Sequence, residues 1–209
     1  MVTALLLATA LSSHTLVATD DVWVYPYAQD QTGDPVIRAW GDGTNSVGDI
    51  GSSDFTFSYS IVRFDLSGIK EDASHLKTAH LVLYHQVDPG FTKEESAKNP
   101  LEARLVDPGI DEKRWTFQMA GEHMPDPGDD AILGKAPGVP SVDGKPFKID
   151  IDLLSGKADL RKAIEGKDAV AFALTTKMAP NGQGGPIYDI LSRSAEDQYR
   201  PRLVLAYDD

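Results

Sequence analysis

Eight short runs of β-branched and aromatic residues recur along the chain, and no long helical period competes with them. They are 22–27 (VWVYPY), 36–40 (VIRAW), 58–66 (SYSIVRFDL), 79–87 (AHLVLYHQV), 101–106 (LEARLV), 147–152 (FKIDID), 169–176 (AVAFALTT) and 202–207 (RLVLAY). Runs of this length and composition, separated by Gly, Pro and Asp turn chemistry, predict strands of an antiparallel two-sheet β-sandwich. The 18 Gly and 13 Pro among 209 residues argue against a helical bundle, and a hydrophobic share of 41% is enough for a packed core.

Alternation assigns the faces. In 58–66, Ser60, Val62, Phe64 and Leu66 are expected inward, and Tyr59, Ile61, Arg63 and Asp65 outward. Leu81 and Leu83 point in, with His80 and Tyr84 out. Phe147, Ile149 and Ile151 oppose Lys148, Asp150 and Asp152 in period two. Val170, Phe172 and Leu174 oppose three alanines, as in a strand covered on both faces. One short helix is expected over 153–165, with Ser155 as N-cap and Leu160, Ala163 and Ile164 as its apolar stripe. Long loops are expected at 28–57, 88–100 and 118–146.

Residues 1–18 carry no charge, hold an apolar run around Leu5 to Leu11 and approach Ala18 through small residues. That pattern is expected of a secretory signal, leaving 19–209 as a single secreted or cell-surface domain. It is too short and too polar for a membrane anchor, so no membrane insertion is expected. No cysteine is present, which removes thiol catalysis, cysteine-ligated zinc and disulfides.

With 32 acidic against 20 basic side chains the net charge is −12, which disfavours nucleic acid as a partner. The excess is local. Residues 19–60 hold 7 acids and 1 base and residues 86–145 hold 12 and 7, while 61–85 hold 3 and 3 and 146–209 hold 10 and 9. The loops are therefore acidic and much of the strand framework is nearly neutral.

Familiar catalytic signatures are missing. The five histidines form no HExxH pair, and there is no GxSxG, P-loop or GxGxxG. A non-catalytic protein is expected, with a polysaccharide-degrading enzyme as the outer alternative.

TDDVWV, YSIVRFDLSGI (59–69), LKTAHLVLYH (76–85), IDEKRW (110–115), FKIDIDLLSGKADLRKAI, AVAFALTT and LSRSAEDQYRPRLVL follow one another in an order that resembles the DNRLRE domain, carbohydrate-binding module family 96. The resemblance spans about 20–207. It implies a jelly-roll-like sandwich, secretion, attachment to larger extracellular proteins, and an acidic polysaccharide such as alginate as ligand. Relatives often have Arg where this chain has Tyr59, and Glu where it has Ser194.

A uronate ligand calls for Arg forks beside aromatic faces. The expected ligand-binding residues are Arg63 and Tyr59 on one outward face, Arg38 and Trp40 as a same-face pair, and Arg193 at the family's Ser-Arg position. The plainer alternative is that Arg63 and Arg193 form structural ion pairs with Asp65, Asp150 or Asp189, and that Trp40 caps the core. Trp115 is expected to plug one end of the sandwich. Acidic clusters at 20–21, 42–54 and 126–130 suit a structural calcium ion without EF-hand spacing, with Asp21 the candidate metal ligand; the plainer alternatives are solvated turn residues and an Asp21 that fixes its strand by accepting backbone hydrogen bonds. An adhesion or structural module, with extracellular protein partners, is the alternative function.

Overall fold

The computed structural model describes residues 11–25, 33–40, 58–87, 89–116, 119–120, 123–141, 143–176 and 187–208. Eleven strands pair antiparallel in two sheets: β1 Leu11–Val17, β2 Asp20–Val24, β3 Val36–Ala39, β4 Tyr59–Asp65, β5 Leu76–His85, β6 Leu101–Val106, β7 Ile132–Ala136, β8 Phe147–Asp152, β9 Ala169–Thr175, β10 Tyr188–Leu191 and β11 Arg202–Asp208. The expected all-β, two-sheet sandwich is what the chain forms.

In the first sheet β5 is the spine. Its residues His80–His85 pair with β8 along one edge, while Leu76–Val82 pair with β11 and His85 with Ile190 of β10 along the other. β1 lies outside β11 and β3 outside β10. The second sheet runs β2-β4-β9-β6-β7.

The main core lies between the sheets and follows the alternation. Val62, Phe64, Leu81, Leu83, Phe147, Ile149, Ile151, Val170, Phe172 and Leu174 all belong to it. A second apolar layer covers the opposite face of β4 and β9, where Val22, Val24, Tyr59, Ile61, Ala171 and Ala173 meet Ile110 and Ala120. β9 is thus covered on both faces, its alanines leaving room for the outer layer. Tyr59 and Ile61, expected outward, have no exposed surface. Period two identifies which face a residue joins; whether a loop roofs that face is a tertiary outcome.

Among the described residues two short α-helices form where one is expected. α1, Lys93–Lys98, lies in the expected loop 88–100 and starts from a capping box in which Thr92 and Glu95 bond each other's backbone. α2, Leu160–Ile164, is capped by Asp159, which accepts from the N–H groups of Arg161 and Lys162. Residues 153–158 are not helical, because the N–H of Gly156 donates to Leu133 O and those of Lys157 and Ala158 to Ile132 O. These bonds tie the turn after β8 to β7 and so stitch one sheet to the other.

Leu11–Val17, placed by the sequence reading within the leader, forms β1 in the first sheet. Among the described residues no helix is long and apolar enough to cross a membrane.

Candidate functional site

The structure divides the expected site residues into two groups. Arg63, Arg193 and Asp21 fall into a partly buried ionic latch at the second sheet, whereas Tyr59 is buried in the outer apolar layer at the other end of β4. Arg38 and Trp40 fall into an aromatic pocket where the edges of the two sheets meet.

The latch grows from the start of β2. Register places Asp20 opposite Arg63 and Asp21 opposite Val62. Arg63 Nη1 donates to Thr19 Oγ1 at 2.8 Å and Asp20 Oδ2 at 3.2 Å, while its Nε donates to Pro108 O at 2.9 Å. Asp21 is 5% exposed, and its Oδ2 accepts the backbone N–H of Arg193. Arg193 Nε pairs with Glu112, whose Oε2 also accepts the Asp21 N–H at 3.3 Å. Burial pushes the Asp21 carboxyl up to about 7, the Arg193 N–H pulling the other way and the Glu112 charge reinforcing the rise. The Glu112 contact in turn raises the Arg193 guanidinium above its ordinary value.

Arg63 and Arg193 are therefore held by internal partners, as the structural alternative had it, but the partners are Asp20 and Glu112. Asp150 pairs with His80 and Lys148, and Asp189 with Arg38. Tyr59 donates its hydroxyl to Met124 Sδ at 3.5 Å, and burial raises its phenol well above the ordinary range. Trp115 packs against the outer apolar layer, its ring 5.6 Å from His123. Among the described residues no three His, Asp or Glu side chains converge as a metal would require. The acidic stretch 42–54 lies outside the described residues.

The pocket is built by two pairs at i, i+2 spacing. Trp23 and Tyr25 stand on one face of β2 and its continuation, and their rings stack at 5.1 Å and 6°. Arg38 and Trp40 stand on β3 and its continuation; Trp40 meets the edges of Tyr25 at 5.1 Å and Trp23 at 6.1 Å. The Trp40–Ser58 backbone bridge joins the end of β3 to the start of β4, and Trp23 Nε1 donates to Ser58 Oγ. Trp40 Nε1 is buried with no hydrogen-bond partner among the described residues. The Arg38 guanidinium carbon lies 4.9 Å from the centroid of the Trp23 ring, within cation–π range.

Arg38 is aimed from below by a chain of bonds. Its Nε pairs with Asp189 Oδ1 at 2.7 Å, and Gln86 Nε2 holds the other carboxylate oxygen at 2.6 Å. The Asp189 N–H donates to His85 Nε2 at 2.9 Å, which leaves Nδ1 as the ring donor to Gln86 O at 2.8 Å. His85 is fully buried, stacked on Phe147 at 4.7 Å and edged by Phe91 at 5.3 Å. Together Trp23, Tyr25, Arg38, Trp40, Pro89, Gly90, Ile187 and Asp189 line a pocket of about 510 Å³ open to solvent.

Trp23 and Tyr25 were missed as site residues although the signal was present: alternation in VWVYPY puts them on one face, like Arg38 and Trp40. Nothing local indicates that the two pairs converge from different sheets. Comparison with protein-family models and with curated proteins finds no match.

Proposed function

We propose that the chain is a secreted, non-catalytic carbohydrate-binding module for an acidic polysaccharide such as alginate, and that its ligand sits in the Trp23–Tyr25–Arg38–Trp40 pocket. The supporting observation is the placement of the Arg38 guanidinium over Trp23 beside Tyr25 and Trp40. A pyranose ring offers an apolar C–H face to an aromatic ring, and a uronate adds a carboxylate that a guanidinium can fork. Asp189 engages Arg38 through Nε, so a carboxylate would be met by the terminal Nη1 and Nη2 groups. The bracing through Gln86 and His85 lowers the ordering cost of binding. The pocket falls within the roughly 300–1,000 Å³ common for small-ligand sites.

Affinity electrophoresis in gels containing alginate or a neutral glucan tests this. Trp40→Ala should lose most retardation on any glycan bound, and Arg38→Ala should lose it on alginate while retaining any binding to the neutral gel. Full retardation of both folded variants on alginate would overturn the assignment. Repeating the alginate gel with calcium and then chelator tests whether the ion contributes.

A further inference from the structure

We infer that β1 pairs edge to edge with β1 of a second copy of this chain, closing a two-fold dimer through a continuous sheet. The inference is independent of the carbohydrate reading and holds for the chain that retains Leu11–Val17. β1 is a seven-residue edge strand whose strand partner among the described residues is β11. Exposed edges carry unpaired N–H and C=O groups and are ordinarily protected by charge, proline, bulges or a covering segment.

The other edges show that protection. β2 begins with Asp20 and Asp21; β3 is four residues long and carries Arg38; β8 alternates Lys148, Asp150 and Asp152. β7 carries Lys135, and its backbone carbonyls accept from Gly156, Lys157 and Ala158. β1 reads LSSHTLV, with neither an acidic or lysine/arginine side chain nor a proline.

The identity of the partner follows from self-complementarity. In an antiparallel pairing centred on His14, Leu11 of one copy lies opposite Val17 of the other, and Ser13 opposite Thr15. Leu11 and Val17 are two of the large apolar side chains left exposed, at 56% and 44%. Both lie on the outward face with Ser13 and Thr15, so the two-fold covers each with the other and repeats the contact at the far end. The two His14 rings that meet at the axis are each engaged by Glu71, with Nε2–Oε1 at 2.8 Å. Each copy offers one such strand, so the assembly closes at two.

Sedimentation velocity on the full chain over a concentration series to roughly 100 μM, a range that covers weak interfaces, reads the result. A dimer is expected. Leu11→Lys with Val17→Lys places like charges opposite each other and should weaken association at least tenfold, whereas Leu11→Lys with Val17→Glu should restore it. If the lysine pair lowers the melting temperature, Ser13→Lys with Thr15→Lys asks the same question at the neighbouring pair. A monomer throughout the series, or a dimer indifferent to these charges, would overturn the inference.

Discussion

Arg104 Nη2 lies 2.8 Å from Glu102 Oε2, and both side chains are 2% exposed. The two stand at i, i+2 on β6, on the face away from the main core, which residues 126–128 roof over. Arg104 completes the roof by donating Nη1 to the carbonyls of Asp126 and Gly128, each at 2.7 Å, and Nε to Thr175 Oγ1 at 3.1 Å. Removing one member strands the other charge in a dry site, which costs about 3–5 kcal/mol. Arg104→Ala is therefore expected to lower the urea midpoint steeply. Arg104→Met with Glu102→Leu should recover much of the loss, and equal losses in single and double variants would contradict the pair's role.

Asp21 makes stability depend on pH in an unusual direction. Burial raises its carboxyl to about 7 in the fold, against 3.8 for a solvent-exposed aspartate. Between those values the folded chain holds a proton that the unfolded chain has released, so stability falls as pH rises through this window. The contribution is complete below the lower value and is lost by the upper. Wild-type protein should melt at a higher temperature at pH 5.5 than at pH 8 by more than Asp21→Asn does. Thermal melts of both proteins at the two pH values check it; identical differences would refute the assignment.

How much of this was legible depends on the scale of the cause. The alternation of FKIDID is local, and Phe147, Ile149 and Ile151 are buried while Lys148, Asp150 and Asp152 are exposed. The capping box at Thr92 and Glu95 is equally local and marks α1 inside a stretch read as loop. Tyr59 defeats local reasoning because Ile110 and Ala120, fifty or more residues away, cover it. Arg63 and Arg193 look alike as outward cations, yet Asp20 engages the first through the register of β2 on β4 and Glu112 engages the second from a turn 81 residues away. Arg38 and Trp40 share a face by local alternation, while Trp23 and Tyr25 reach them by a meeting of two sheets that no spacing encodes.

Gly134 supplies a test of how closely the two sheets approach where β7 meets the end of β8. A Cβ at this position on β7 would collide with the Asp152 carbonyl, and one at Gly156 would collide with the backbone of Ile132 and Leu133. Because the obstacle is backbone on both sides, neither neighbour can rotate away. Gly134→Ala is expected to cost several kcal/mol, whereas Gly68→Ala, whose Cβ meets nothing nearby, should stay within about 0.5 kcal/mol of wild type. Chemical denaturation of the two variants side by side measures the contrast, and comparable stabilities would show that the sheets need not approach so closely.

Removing residues 1–18 yields the chain that cleavage after Ala18 would leave, and it lacks β1. Seven register pairs with β11 disappear, as do the His14–Glu71 contact and the partial cover that Leu16 gives the core. β11 would become an open edge, its seven-residue N–H and C=O row unpaired on that side. A loss of about 2 kcal/mol or more is expected, which in a domain of this size lowers Tm by roughly 4–8 °C. Calorimetry of the truncated and full chains measures it, and N-terminal sequencing of secreted material should find Leu11–Val17 retained. Equal melting temperatures would show that β1 adds nothing to the stability of the sandwich.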